Sequence, residues 1–210
     1  MSLQLAARPG CTLVCGVSGS GKTTFALRWL AARKDLTCRF LFQEPKRDLS
    51  ERLKLPDAET AEELECSVED GWCIFHPGTM FSGDWPAALA WFAEWSYAKA
   101  SSLPGRKILM VDEVWKYCSP HAIPRGLSKW IQDGRSFGCE TVFATQTPNK
   151  LHASITNETT ELVAFRLQGK PALDCVTALG VDREEVSALP PGAFVARNCE
   201  TGGERRARLW

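Results

Sequence analysis

Short uninterrupted apolar runs recur along this chain, separated by stretches of helical period or of polar residues. Runs at 12–15, 39–43, 72–76, 107–113, 140–148 and 161–167 lack the strict alternation of a half-exposed strand, and two of them close on polar or acidic residues. Continuous apolar character over so few residues predicts parallel strands covered on both faces. Between the runs, apolar residues return at helical spacing. That spacing predicts helices from about 22 to 33–34 and over 85–100, 125–133, 171–179 and 182–189. Strand and helix in alternation predict an α/β fold with a mainly parallel central sheet flanked by helices.

Local signals sharpen the boundaries. Asp84 is placed to cap the helix at 85–100, with Pro86 in its first turn. Asp182 with Glu185 three residues later has the capping-box pattern. Leu89, Phe92 and Trp95 share one face of the 85–100 helix, and Trp91 widens it. Such a face predicts core, with a subunit interface as the second reading. Pro45 stops strand continuation, so the chain leaves the sheet over 44–48. Residues 47–70 are charged, with Leu49, Leu53, Leu55 and Leu64 to bury, and predict short surface helices. His76 reads as a strand-end histidine rather than a ligand. Residues 115–124 read as irregular, 134–138 as a turn and 149–159 as a polar connection. At the other end, 193–197 and the tail 204–210 predict an antiparallel hairpin across Gly202-Gly203.

A length of 210 residues suits one domain spanning 1–210. Formal net charge is zero, so no global basic field draws the protein to nucleic acid, and any such contact needs a local patch or an assembled ring. No apolar run approaches the roughly 18 residues that would span a membrane. The N-terminus lacks the basic-then-apolar pattern of a signal peptide. Nine scattered cysteines contain no C-x-x-C pair and no histidine at zinc spacing. Cys15 and Cys73 read as small core residues of a reduced, cytoplasmic protein, and a Cys11–Cys15 disulfide is the lesser alternative.

Two motifs carry chemistry. Gly16-Val17-Ser18-Gly19-Ser20-Gly21-Lys22-Thr23 fits G-x-x-x-x-G-K-[ST] between an apolar strand and a helix. Glycines let successive backbone N–H groups converge on a phosphate, and the helix N-terminus adds favourable partial charge. Residues 16–24, including Val17, Ser18, Ser20 and Thr24, are thus the expected nucleotide-binding set. Lys22 would reach the β- and γ-phosphates and Thr23 would offer its hydroxyl to Mg²⁺. In the second motif, the run at 107–111 ends in Asp112-Glu113, the form of a Walker B strand. The expected roles are Mg²⁺ binding for Asp112, directly or through water, and water activation for Glu113. That pair points to hydrolysis of ATP. Gln146, at the tip of the 140–148 strand, is placed to sense the γ-phosphate or the attacking water, the alternative being a solvated strand end.

The order of these parts resembles the FtsK–HerA superfamily of DNA-translocating ATPases. The likeness runs from the phosphate loop through Asp112-Glu113, Arg135-Ser136-Phe137-Gly138, and Phe143-Ala144-Thr145-Gln146-Thr147-Pro148 to 188–194, and covers residues 12–200. FtsK proteins add a membrane anchor and a DNA-reading domain, and HerA proteins add an N-terminal barrel. The chain reads instead as a bare ATPase core, similar to the genome-packaging ATPases of membrane-containing icosahedral phages and archaeal viruses. The resemblance implies a RecA-like P-loop NTPase fold of the ASCE type. It also implies a pentameric or hexameric ring of identical subunits that drives double-stranded DNA through its pore. Such a motor works in the host cytoplasm or at the virion's packaging vertex, beside a capsid or membrane-associated portal component. By analogy Arg135 would be an arginine finger in a neighbouring subunit's site, with Arg125 and Arg166 as fallbacks. Lys116, Arg125, Lys129 and Lys150 are the candidates to hold DNA phosphates, joined by His121, His152 and the Arg205, Arg206, Arg208 tail. For each of these a solvated surface charge is the alternative. Three other functions compete with packaging: a plasmid or cellular translocase, a small-molecule phosphotransferase, and an assembly protein that binds ATP without hydrolysing it.

Overall fold

The computed structural model describes residues 10–43, 48–78 and 80–210. The expected exit from the sheet at 44–47 and the lead-in before residue 10 lie outside the described residues.

Strand β1 (Cys11–Cys15) is buried along its whole length and feeds the glycine loop and helix α1 (Lys22–Ala32). Strand β2 (Leu36–Phe42) follows, then the short helices α2 (Asp48–Leu53) and α3 (Ala61–Glu69) and strand β3 (Trp72–Phe75). Helix α4 (Trp85–Ser102) crosses back to β4 (Arg106–Val111), and α5 (Arg125–Gln132) leads to β5 (Cys139–Thr145). The rest of the chain comprises α6 (Ala153–Asn157), β6 (Thr159–Phe165), α7 (Lys170–Ala178), α8 (Arg183–Ala188), β7 (Ala193–Asn198) and β8 (Glu204–Arg208).

Among the described residues eight strands form one sheet in the order β3-β2-β4-β5-β1-β6-β7-β8. Pairings among β1 to β6 are parallel, while β6–β7 and β7–β8 are antiparallel. The terminal hairpin is therefore present, and it extends the main sheet. Cys15 sits opposite Thr145, and Val111 opposite Phe143. The C-terminal tips of β1, β4 and β5 consequently lie side by side, which is where open α/β sheets bind ligands. Separate apolar clusters cover the two sheet faces. One, built on α1, holds Phe25, Leu30 and Met110; the other, built on α4 and α5, holds Phe40, Phe92 and Trp130.

The aromatic face of α4 is core. Phe92 stacks on Phe75 and Trp95, and half-buried Trp91 and Trp85 pack on Phe75 and Phe42. Asp84 caps this helix by accepting from Ala87 N–H at 3.1 Å. Asp182 caps α8 through Glu185 N–H at 2.7 Å, but the expected box does not close. The Glu185 carboxylate is held instead by Arg206 on β8. A reciprocal box does form at α3, where Thr60 and Glu63 bond each other's backbone. The 149–159 stretch also holds more structure than its polarity suggests. It contains α6, whose single buried residue, Ile155, leaves no periodicity to detect.

The described cysteines are free thiols. Cys11 and Cys15 belong to one extended strand, where four residues span about 13 Å. That exceeds the roughly 7 Å Cα separation a disulfide can bridge, so the alternative pairing is excluded. Burial pushes the Cys15 thiol up and keeps it neutral beneath the glycine loop. His76 follows β3 and is buried between Glu59, 3.9 Å away, and the Trp85 ring. Among the described residues no helix is long and apolar enough to cross a membrane.

Candidate active site

The glycine loop is anchored at its base by two strands it does not belong to. Gly16 N–H donates to Thr145 O at 3.2 Å on β5, and Val17 N–H to Arg166 O at 2.9 Å beyond β6. Gly16 has no room for a side chain, since a Cβ there would lie 2.6 Å from both Phe165 Cβ and Ser20 Oγ. Gly21 adopts φ 111° as the cap residue of α1, a conformation that favours glycine. The first turn of α1 carries no acidic residue, so its N-terminal partial charge is uncancelled. Ser20 Oγ is buried without a protein partner at this turn. A cradle with an orphaned hydroxyl, an uncancelled helix terminus and a buried lysine fits a polyphosphate. Lys22 Nζ donates to Val17 O at 3.2 Å and lies 3.6 Å from Glu113 Oε1.

Thr23 and Asp112 meet across 89 residues of sequence, the hydroxyl donating to Asp112 Oδ2 at 2.7 Å. A hydroxyl and a carboxylate paired beside the loop fit the hard-oxygen ligand set of Mg²⁺. Glu113 follows the tip of β4 with φ 47° and ψ 44°, a left-handed conformation uncommon for a residue other than glycine. Such a conformation costs roughly 1–3 kcal/mol and persists only where its surroundings enforce it. Here they do. Glu113 N–H donates to Asp112 Oδ1 at 2.9 Å. Its carboxylate accepts from Gln146 Nε2 at 2.9 Å, Gln146 N–H at 3.2 Å and Trp115 Nε1 at 2.7 Å. Three of the approximately four acceptor positions of a carboxylate are thus filled, and the Lys22 ammonium stands beside the carboxylate at ion-pair distance.

Lys22, Thr23, Asp112, Glu113 and Gln146 thus converge from three adjacent strand tips. Arg135 does not join them. It sits on the 3-10 turn Gly134–Phe137, which precedes β5, and so at the opposite edge of the sheet. The seven residues of β5 separate the two edges, about 20 Å of extended chain. Arg135 is half exposed and 3.9 Å from Glu200. The buried Lys107 holds this turn to β4, donating to Phe137 O, Leu103 O and Gly105 O. Arg166 lies by the loop, its carbonyl bonded to Val17.

The candidate basic residues have different surroundings. Lys116 and Arg125 are exposed beyond the tip of β4. Lys150 is exposed beyond β5, with its ammonium 5.0 Å from the Trp115 ring centroid. Lys129 is engaged within the chain, paired with Glu94 at 2.8 Å and lying over the Tyr97 ring. In the tail, Arg206 is taken up by Glu185 and Glu204, while Arg205 and Arg208 remain exposed.

Two site residues escape the motifs. Trp115 lies two positions past the acid pair on a 3-10 turn (Val114–Lys116), a spacing without a sequence signature. Arg52 of α2 donates to Thr24 Oγ1 at 3.1 Å while pairing with Asp48 at 2.7 Å, and nothing in its charged segment marks it.

No protein-family model matches the chain, and no curated protein matches its sequence. Its fold does match solved structures. The genome packaging NTPase B204 from Sulfolobus turreted icosahedral virus 2, in complex with sulfate, superposes with a TM-score of 0.75 at 13% identity, covering 97% of this chain and 98% of that one. The same NTPase in complex with AMPPCP gives 0.73 at 12%, over 95% and 97% of the two chains. EccC of Thermomonospora curvata (ATPases 2 and 3) gives 0.62 at 15%, over 95% of this chain and 36% of that one. At these identities the likeness establishes the fold, an α/β, RecA-like P-loop NTPase with a mainly parallel sheet. B204 is by its name a genome packaging NTPase, one of the kinds of protein that the order of the motifs resembles.

Proposed function

We propose that this chain is an ATP-hydrolysing translocase of double-stranded DNA, the genome-packaging motor of a bacteriophage or related virus. The observation that carries the ATPase part is the convergence of Lys22, the Thr23–Asp112 pair and the Glu113–Gln146 pair on adjacent strand tips. The likeness to a viral packaging NTPase over nearly the full length of both chains supports the packaging part.

The chain's own residues suggest how hydrolysis would run. The loop N–H groups and Lys22 bind the β- and γ-phosphates. Mg²⁺ held by Thr23 and Asp112 would offset phosphate charge as the terminal group leaves. A γ-phosphate in the loop draws the Lys22 ammonium away from Glu113 Oε1. That clears the approach to the remaining acceptor position on Glu113, on the side turned toward Lys22 and hence toward the terminal phosphate. Gln146 and Trp115 keep the carboxylate in place meanwhile. A water bonded at the remaining position gives its proton to Glu113 as its oxygen bonds to phosphorus and the bridging oxygen leaves with ADP.

DNA would be held by Lys116, Arg125 and Lys150, which lie beyond the tips of the strands that carry the acids and Gln146. A pentameric or hexameric ring would bring Arg135 of one subunit toward the site of the next. In the cell such a ring would act in the host cytoplasm or at the packaging vertex, against a capsid or portal component. ATPase assays with and without double-stranded DNA, on protein of measured oligomeric state, test the proposal. Stimulation of a ring by DNA is the expected result, and a monomer indifferent to DNA overturns the translocase reading. The likeness to EccC, a Type VII secretion ATPase, supports a second reading, a motor of the same fold serving another transport process. Movement of a polypeptide rather than DNA would select it.

A further inference from the structure

Trp210 is 57% exposed, more than any other large apolar side chain among the described residues, yet it is held in a defined place. Leu209 N–H donates to Gly192 O at 3.0 Å, continuing the line of the β7–β8 hairpin. Its carbonyl accepts from Arg28 Nη1 of α1 at 3.1 Å. These two bonds bring the tail against the phosphate loop. A Cβ on Gly21 would lie 2.6 Å from Leu209 Cδ1 and 3.1 Å from Trp210 Cη2. A Cβ on Gly192 would lie 2.7 Å from Trp210 Cε2 and 3.0 Å from Nε1. The indole is therefore seated between two glycines, both at positive φ. Gly21 has a reason of its own to be glycine in the loop motif. Gly192 has its own in the Pro190–Ala193 turn, where Ala193 N–H donates to Pro190 O at 3.0 Å, and the side chains both glycines lack leave the space the ring fills.

We propose that Trp210, with Leu209 beside it, is the platform on which the base of the bound nucleoside triphosphate stacks. This rests on the reading of Gly16–Thr23 as a triphosphate site. A nucleotide whose β- and γ-phosphates lie in that loop carries its base out past the start of α1. On one flank there, at Thr24, stands the Arg52 guanidinium, itself paired with Asp48. On the other, at Gly21, stands an exposed aromatic ring. Stacking on an aromatic face is favourable for any base, because every base has a π-face. The one polar atom of the indole, Nε1, lies on the ring edge beside Gly192. The platform thus gives affinity for a heteroaromatic base with weak discrimination between adenine and guanine.

Titration calorimetry of the full chain with ATP, GTP and inorganic triphosphate tests this, on wild type, Trp210→Ala and Trp210→Phe. The expected result is that Trp210→Ala loses about tenfold or more in ATP and GTP affinity, that its affinity for inorganic triphosphate is unchanged, and that Trp210→Phe recovers most of the loss. If wild type binds ATP no more tightly than inorganic triphosphate, the platform is wrong while the phosphate site stands. The same holds if Trp210→Ala binds ATP normally, including a case where it alters only the oligomeric state and so marks a subunit contact. If wild type binds neither ligand, the phosphate-site reading falls and the platform falls with it.

Discussion

Gln146 donates to both oxygens of Glu113, from its side-chain Nε2 at 2.9 Å and from its backbone N–H at 3.2 Å. The two residues sit past the tips of neighbouring strands, so the sheet itself sets their separation. Glu113 is held before any substrate water arrives, and its left-handed backbone is offset by these bonds. Glu113→Gln should retain nucleotide affinity and lose turnover by about 10²–10⁴-fold, the usual range for removal of a positioned base. Lys22→Ala should fail earlier, at binding. Single-turnover hydrolysis alongside equilibrium binding separates the two, and an unimpaired rate in Glu113→Gln would sink the water-activation role.

Trp115 is the second support of the same carboxylate and also carries Lys150 on its ring. Trp115→Phe keeps an aromatic face for Lys150 but removes the indole N–H from Glu113. A lost hydrogen bond to a charged group is worth roughly 1.5–3 kcal/mol. If most of that falls on the reacting geometry, kcat should drop by about tenfold or more with KM little changed. Lys150→Ala should show the reverse pattern, leaving basal turnover intact and weakening stimulation by DNA. Equal effects of both substitutions on KM alone would count against a positioning role for Trp115.

The sheet and the two motifs were legible because each has a strong local signature. Buried parallel strands leave unbroken apolar runs, and a phosphate loop needs glycines at fixed spacing. Where the chain's own chemistry is long-range, the sequence is silent. Gln146 stands 33 positions after Glu113, and the β4–β5 register brings the two together, while Trp115 reaches the same carboxylate from two positions on, through a turn that leaves no sequence signature. Glu185 looks like a capping-box acid because Asp182 stands three residues before it. Arg206 competes for the same carboxylate from β8, and the charged partner wins. Lys129 reads as a free basic residue until α4 brings Glu94 beside it.

Acid sensitivity should begin at the edge of the sheet opposite the site. The Arg33 guanidinium bonded to Asp35 holds its carboxyl down at about 2, against an ordinary 3.8, and Arg106 adds to the effect. The folded protein keeps this carboxylate charged where the unfolded chain takes up a proton. The resulting stability is whole above about pH 4 and is lost as pH falls through the folded value. Asp35 is 45% exposed, so solvent screening limits the effect to about 1 kcal/mol or less. Urea unfolding of Asp35→Asn should show a small deficit at pH 6 that closes near pH 2. A deficit constant across that range would mean that the charge is not its origin.

Arg135 is the residue whose role depends most on assembly. In its own subunit it faces Glu200 at the far edge of the sheet, so a direct part in its own site is ruled out by distance. Its turn is fixed in place, since the buried Lys107 donates to Phe137 O and ties it to Leu103 O and Gly105 O of the loop before β4. If Arg135 serves the next subunit's γ-phosphate, Arg135→Ala should cost about 10³–10⁵-fold in ring turnover with nucleotide binding intact. Mixing then gives a decisive readout. Rings built from Arg135→Ala and Glu113→Gln subunits contain interfaces where an intact Arg135 meets an intact Glu113, so part of the activity should return. Homogeneous rings of either variant lack such interfaces and should stay inactive. No recovery at any mixing ratio, with mixed rings demonstrated by mass, would place the finger elsewhere, with Arg125 and Arg166 next in line.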